Sequence, residues 1–197
     1  MKRFSPWLII LGAIVVFALW IFSAYNSFVR LNENVATAWS QVENQYQRRY
    51  DLIPNLVETV KGIANQEKQV FTAVTEARAR AGQVQVTPAT LTDPQAFARF
   101  ETAQAELGGA LSRLLVTVEN YPELKSNENF LALQNQLEGT ENRIAVERMR
   151  FNEVTRVYNI KAKSLPGVWF VSWFGFDKEK QLLTVAPGAD KNPAVKF

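Results

Sequence analysis

An uninterrupted apolar run near the amino terminus constrains this chain more than any other feature. Residues 7–22 read WLIILGAIVVFALWIF, and no charged residue stands between Arg3 and Arg30. Counted from Phe4 to Tyr25, the segment is long enough to cross a hydrocarbon core of about 30 Å as a helix. The sequence therefore predicts a transmembrane helix, and the rest of the chain must fold from one end of it.

A cleaved signal peptide is the competing interpretation of this run. Cleavage requires small residues at positions −3 and −1. With Ala24 at −1 the residue at −3 is Phe22, and Ala18 is followed by Leu19 and Trp20, so neither alanine makes a good site. We therefore expect an uncleaved anchor.

The charges that flank the anchor predict its orientation. Lys2, Arg3 and the terminal amino group precede it, whereas Arg30 stands alone beyond it. Because positive charge favours the cytoplasmic side, we expect the amino terminus in the cytoplasm. The body would then lie in the periplasm or outside, held by a single pass through the inner (cytoplasmic) membrane.

The composition argues against an enzyme. The chain has no cysteine and no histidine, so it lacks the thiol nucleophile, the usual base near neutral pH and the commonest metal ligand. Chemistry by Ser, Asp, Glu or Lys stays open in principle. The net charge is only +3 and the largest basic cluster is Arg48-Arg49, which is weak evidence for nucleic-acid binding. We predict no catalytic residues, no cofactor, no metal and no nucleic-acid partner.

Apolar residues recur at helical spacing through the body of the chain. Gly82 is a stop signal before a loop over 82–93, and Asp93 and Pro94 are typical of a helix start. This third bundle helix reaches about residue 120, and a fourth, capped by Ser126 or Asn127, runs to about residue 163. The predicted fold is all-α: an N-terminal transmembrane helix, an antiparallel up-and-down four-helix bundle and an aromatic C-terminal segment. The corresponding divisions are 1–27, 28–163 and 164–197.

Pro54 leaves two arrangements open for the first part of the bundle. Asp51 is a good N-cap and proline is tolerated in a first turn, so a tight turn at Tyr50–Asp51 could open a second helix. Alternatively, Pro54 only kinks one helix that runs from the membrane to Gly82. The helical spacing of the apolar residues continues across Pro54 without a break, which favours this arrangement. We prefer the turn, because four antiparallel helices would bury Trp39 whereas a lone stalk would expose it.

Several stretches of the chain closely resemble the LemA family. They are QRRYDLIPNLVETVKG (47–62), AVTEARARA (73–81), YPELKSNENFLALQNQLEGTENRIAVERMRFNEV (121–154) and YN (158–159). They follow the family's order and spacing from Tyr25 to about Phe176. The resemblance implies one N-terminal transmembrane segment and an up-and-down bundle of four helices. It implies no established catalytic residues, and some such proteins are linked to membrane stress and membrane proteases.

The chain departs from that family in two places. GIANQE at 62–67 has Ile63 and Gln66 where the family often has an aromatic residue and a histidine, although Glu67 is kept. A chemical role for that histidine is therefore not available here. The tail after Phe176 looks individual to this chain.

Polar residues gather at two predicted turns, which an antiparallel bundle would bring to the pole farthest from the membrane. Capping and ion pairing between helices are the simplest explanation. The functional interpretation is a docking surface for a partner or a second copy. The docking candidates are Arg48, Arg49, Asp51, Pro54, Asn55, Glu58, Lys61, Asn127, Glu128 and Asn129.

Five of the twelve residues in 165–176, LPGVWFVSWFGF, are aromatic. If this stretch is helical, its first four aromatic residues would share one face. A returning fourth helix would leave it beside the bilayer, where tryptophan and phenylalanine suit the interface. A cap on the bundle or a contact between protomers are the alternatives. The membrane-interface candidates are Trp169, Phe170, Trp173, Phe174 and Phe176.

The sequence as a whole predicts a non-enzymatic, membrane-anchored helical scaffold or adaptor that self-assembles or docks other envelope proteins. The alternative function is an accessory subunit of a membrane protease or an envelope quality-control complex. The expected partners are membrane lipid and further copies of the chain, with a membrane protease or another envelope protein as a further candidate.

Overall fold

The computed structural model describes residues 6–63, 65–84, 87 and 91–184, and these residues form helices and no strand. The all-helical prediction is therefore confirmed over these ranges. Lys2 and Arg3, parts of the predicted loop 82–93 and the end of the predicted tail lie outside the described residues. The helices are α1 (Pro6–Thr59), α2 (Lys68–Gln83), α3 (Pro94–Val118), α4 (Pro122–Lys125), α5 (Glu128–Lys163) and α6 (Gly167–Phe174).

The first helix passes straight through Pro54, so the predicted turn at Tyr50–Asp51 is wrong. Asp51 caps nothing; its carboxylate accepts a hydrogen bond of 2.8 Å from the side-chain amide of Gln47, one turn earlier. The chain instead reverses after Thr59, through a 3₁₀ turn at Lys61–Ile63 and the residues that lead into α2. The reversal thus occurs about two to three helical turns later than predicted.

A side chain from the next helix explains why α1 tolerates a proline. Proline has no N–H, so the carbonyl of Tyr50, four residues earlier, loses its helical partner. The Nε of Arg78 in α2 donates to this carbonyl at 3.4 Å. The Arg78 guanidinium also lies over the Tyr50 ring, 3.9 Å from its centroid. Arg78 therefore supplies the donor that Pro54 removes, and it fastens α2 to α1 at the same point.

Contacts along α1 and α5 show how these two helices are aligned. Phe28 of α1 meets Tyr158 of α5, with ring centroids 6.4 Å apart. Farther along α1, Arg49 meets Glu141 at 2.9 Å. Residue numbers fall on α5 as they rise on α1, so α5 carries the chain back toward the anchored end of α1.

A second pair, α2 and α3, packs beside the outer half of α1. Arg80 of α2 pairs with Glu106 of α3 at 3.0 Å. The Tyr121 hydroxyl, just after α3, donates to Glu67, just before α2, at 3.0 Å. The reversal after α1 and the connection between α3 and α5 therefore meet at one end of the molecule, which we call the distal pole (residues 60–63, 65–67 and 119–129).

The buried apolar residues form two clusters stacked along α1. The cluster nearer the anchor includes Phe28 and Trp39, which is 1% exposed and therefore lies in the core as predicted. The other cluster lies toward the distal pole and includes Ile53 and Leu56. Buried Arg49 lies between the two in sequence and contacts three helices, as described below.

The predicted helix starts on the far side of the bundle are confirmed. The Asp93 side chain accepts hydrogen bonds from the backbone N–H groups of Gln95 and Ala96 at the start of α3. Asn127 does the same for Asn129 and Phe130 at the start of α5. Both caps satisfy donors that a first helical turn leaves without partners.

Replacing Arg78 by Met should test the link between Pro54 and α2. We expect a loss of about 1–2 kcal/mol in the free energy of unfolding, measured with urea in a mild detergent, since the Tyr50 carbonyl loses its donor. The same change in a Pro54→Ala background should cost less, because alanine has the N–H that proline lacks and restores the helical partner. Arg80→Met, which removes an exposed ion pair, is the control and should cost less than about 1 kcal/mol. Equal losses from Arg78→Met in both backgrounds would contradict the link.

Candidate functional site

The first dozen residues of α1 (6–17) extend away from the rest of the molecule. Trp7 is 79% exposed and Phe22 is 66% exposed, and most apolar side chains between them are exposed as well. Among the helices of the described ranges, α1 is the one long and apolar enough to cross a membrane, by length and composition. The same helix enters the core at Phe28, so the apolar segment and the first helix of the core are one continuous helix.

The aromatic C-terminal segment lies against the end of this apolar stretch. It forms α6, and the Phe170 ring contacts the Trp20 ring of α1 at a centroid distance of 5.3 Å. Phe174 contacts Tyr25 at 5.2 Å. Phe176, just after the helix, lies 5.5 Å from Phe28. The aromatic segment is thus beside the anchor even though Pro54 does not turn the chain, because the reversal at the distal pole still sends α5 back.

The four aromatic residues of α6 differ in burial. Phe170 is 2% exposed and packs inward, and Phe174 is 42% exposed and stacks on it. Trp169 and Trp173, one turn apart, point outward and are 56% and 70% exposed. Phe170 is therefore the packed ring of this group, whereas both tryptophans remain available at the surface.

A glycine allows α6 to approach α5 closely. An added Cβ at Gly167 would lie 1.8 Å from the backbone oxygen of Lys161, and 3.3 Å from the Phe28 ring. Neither the carbonyl of a helix nor a buried ring can move aside easily. Gly167 is therefore required for the present position of α6 at the end of α5.

Residues 177–184 run along α5 as an extended strap. The Asn159 side chain donates to the Lys180 carbonyl and accepts from the Lys180 N–H, at 2.8 and 2.9 Å. Asn152 makes the same two bonds with Leu183, each 2.8 Å. The N–H and the hydroxyl of Thr184, the last residue that the structure describes, both donate to Glu101 of α3. The strap therefore joins α5 to α3.

A polar cluster at mid-height joins α1, α3 and α5. Arg49 is 3% exposed; one guanidinium nitrogen donates to Glu141 of α5 at 2.9 Å and another donates to the side chain of Gln104 in α3. The guanidinium also lies 5.1 Å from the Tyr46 ring centroid. Arg49 is the buried member of this ion pair, since the Glu141 side chain is 46% exposed. Arg49 is thus committed to internal contacts, as the ion-pairing interpretation expects, and is not part of an accessible surface.

Two buried phenols keep their protons at neutral pH. Burial raises the pKa of Tyr46, although the Arg148 and Arg49 guanidiniums oppose this rise. Burial and the Asp177 carboxylate raise the pKa of Tyr158 to about 12. The Tyr158 hydroxyl donates to the Asp177 backbone carbonyl at 2.7 Å, so it serves as a hydrogen-bond donor to the strap.

The remaining docking candidates are exposed. Four of them lie three or four residues apart, and so along one side of α1, and Pro54 is exposed next to that side. Lys61 follows and pairs with Glu58 at 3.1 Å. The three candidates at the start of α5 are exposed as well, with Asn127 serving as the cap. The four α1 residues are Arg48, Asp51, Asn55 and Glu58.

In the described ranges, no group of three or more carboxylates is placed to hold a metal ion.

The polar side chains that organise the structure include several that the sequence did not single out. Arg78 was missed because its partner is a backbone carbonyl on another helix. Asn152 and Asn159 could have been found, since two amides seven residues apart within an apolar helix face suggest a ligand that runs along the helix.

Comparison with known proteins agrees with the motifs. A family model described as LemA family matches residues 38–197, and so extends through the tail that had looked individual to this chain. Magnetosome protein MamQ 2 and magnetosome protein MamQ 1 of Paramagnetospirillum magneticum are each 26% identical to this chain over 194 residues, 90% of this chain and 71% of theirs. Magnetosome protein MamQ of Magnetospirillum gryphiswaldense is 26% identical over 84% of this chain and 67% of its own length.

Proposed function

The chain belongs to the LemA family, and on that premise we propose that it is a non-enzymatic, membrane-anchored helical scaffold or adaptor. It would self-assemble or dock other envelope proteins. The observation that carries this proposal is the continuity of α1, which is both the membrane-spanning candidate and a central helix of the core. The names of the MamQ relatives denote a cellular structure and no reaction, in agreement with a structural role.

The proposed architecture is an antiparallel up-and-down bundle of α1, α2, α3 and α5. The contacts of α1 with α5 and of α2 with α3 support it, as does the meeting of the two reversals at the distal pole. We assign residues 1–27 to the anchor, 28–163 to the bundle and 164–197 to the membrane-proximal segment and tail. From Tyr25 to Thr59, α1 would hold the distal pole about 50 Å from the bilayer, at 1.5 Å per residue.

Both ends of this bundle offer a surface. At the membrane, Trp169 and Trp173 would enter the interface, which suits their apolar rings and polar N–H groups. Between mid-height and the distal pole, the exposed stripe of Arg48, Asp51 and Asn55 on α1 is available to a partner or a second copy. The adjoining candidates are Pro54, Glu58, Lys61, Asn127, Glu128 and Asn129.

The orientation that the terminal charges favour puts the amino terminus in the cytoplasm and the bundle in the periplasm or outside. The distal pole would then face other proteins of the envelope. The proposed location is the inner (cytoplasmic) membrane, crossed once.

A fluorophore at position 172 should test the interfacial role of α6. The chain has no cysteine, so Ser172→Cys gives a single labelling site that leaves both exposed tryptophans in place. In liposomes, brominated lipid should quench the label at position 172 strongly. The same label at Ser126→Cys, an exposed serine near the distal pole, is the control and should not be quenched.

A glycine substitution sharpens this test. Gly167→Ala should reduce the quenching at position 172, because the added methyl group displaces α6 from α5. Gly139→Ala, at an exposed helical glycine with open space around it, should leave the quenching unchanged. Equal quenching at positions 172 and 126 would rule out the interfacial assignment.

Purification in mild detergent after cross-linking in the membrane should test the scaffold role. We expect a homomeric assembly, observed as multiples of the 22.3 kDa chain. Replacing Arg48, Asp51 and Asn55 by Ala should disrupt this assembly while leaving the helix content unchanged, because all three side chains are exposed. Recovery of a membrane protease in stoichiometric amount would favour the accessory-subunit function, and a monomer without partners would contradict the scaffold.

A further inference from the structure

The strap lies along α5 and leads toward a groove between α3 and α5. The two asparagines that bind it, Asn152 and Asn159, are seven residues apart on α5, which corresponds to a rise of about 10.5 Å. The backbone groups that they bind are three residues apart on the strap, and three extended residues also span about 10 Å. The match means that the strap lies parallel to the helix axis, and it runs from the anchored end toward the distal pole.

Next to Thr184, an open groove lies between α3 and α5. Thr184 lines a cavity of about 600 Å³, together with Glu101, Arg148 and other residues of α1, α3 and α5. A second cavity of about 470 Å³ follows, and the two share Gly108 and Glu141. The walls of the second cavity include three leucines, which gives the groove an apolar part. These leucines are Leu111, Leu115 and Leu137.

The chain itself supplies the occupant that best fits this groove. We propose that residues 185–197, VAPGADKNPAVKF, dock between α3 and α5. Thr184, the residue before them, lines the first cavity, and Arg148 donates to its carbonyl. This proposal rests on the strap and the groove and does not depend on the scaffold function.

Length and polarity support this occupant. From Arg148 to Glu138 the groove follows α5 for ten residues, about 15 Å, and five extended residues are enough to cover that distance. Ala189 would therefore reach the level of Ser112, which lines the second cavity. The five residues that would cover the groove, 185–189, are uncharged and begin with apolar Val185 and Ala186. Such a segment suits the leucine walls of the second cavity.

A disulfide between the groove and the occupant provides the test. In the full-length protein, oxidation of the pair Ser112→Cys and Ala189→Cys should give an intramolecular cross-link. The control pair is Thr75→Cys and Ala189→Cys. Thr75 is exposed on α2, and both Ser112 and Thr75 donate their hydroxyl to the carbonyl four residues earlier in their own helix. We expect the groove pair to form about tenfold faster than the control pair, because docking raises the local thiol concentration.

A second measurement needs no cross-link. The single thiol of Ser112→Cys should react with a maleimide several-fold faster when residues 185–197 are deleted, while Thr75→Cys should react equally fast with and without them. Equal cross-linking rates for the two pairs, or no change at position 112 on deletion, would overturn the proposal. Cross-links found only between chains would also overturn it, and would make a second copy the occupant.

Discussion

One hydrogen bond from another helix lets α1 remain a single element. Proline inside a helix removes a donor and disfavours the preceding turn by roughly 3 kcal/mol. Here Arg78 of α2 donates to the Tyr50 carbonyl that Pro54 leaves without a helical partner. Because α1 does not break, the apolar segment that precedes Phe28 and the core residues that follow it are held in one orientation, and everything packed on α1 is oriented with them.

The packing on α1 has an apolar and a polar component. Aromatic contacts dominate near the anchor, where Phe28 and Trp39 pack against rings from α3, α5 and α6. At mid-height the buried guanidinium of Arg49 ties α1 to α3 and α5. Because the guanidinium is buried, a shift that separates it from these partners would leave it without hydrogen bonds, which is costly. Arg49 therefore helps to keep α1, α3 and α5 aligned at the level between the two apolar clusters.

The sequence predicted most of the fold, and its main error has a physical cause. Asp93 and Asn127 were recognised as caps because each signal is local and acts within one helical turn. The Asp51–Pro54 signal is equally local, but a donor 28 residues away in sequence outweighs it. The helical spacing of the apolar residues, which continues without a break from Tyr46 to Ile53, was the better predictor of the helix. A continuous apolar stripe requires a continuous helix.

The aromatic segment shows what the sequence could and could not predict. Its position beside the anchor depends only on the number of chain reversals, and moving one reversal from residue 50 to the distal pole leaves that number unchanged. The faces of α6 depend on tertiary packing. Phe170 turns inward because Trp20 and Phe28 contact it, and Gly167 permits the close approach, so spacing within the segment alone does not show which aromatic ring is buried.

The continuity of α1 is the central claim, and a distance along it tests that claim most directly. Spin labels at Arg30→Cys and Glu58→Cys, both exposed positions, can be measured by pulsed electron paramagnetic resonance in the membrane-embedded protein. One helix across these roughly 28 residues predicts a separation of about 42 Å. A chain that reverses at Tyr50–Asp51 would bring the labels to roughly 20 Å, from the net rise plus one interhelical spacing, and that result would contradict the account.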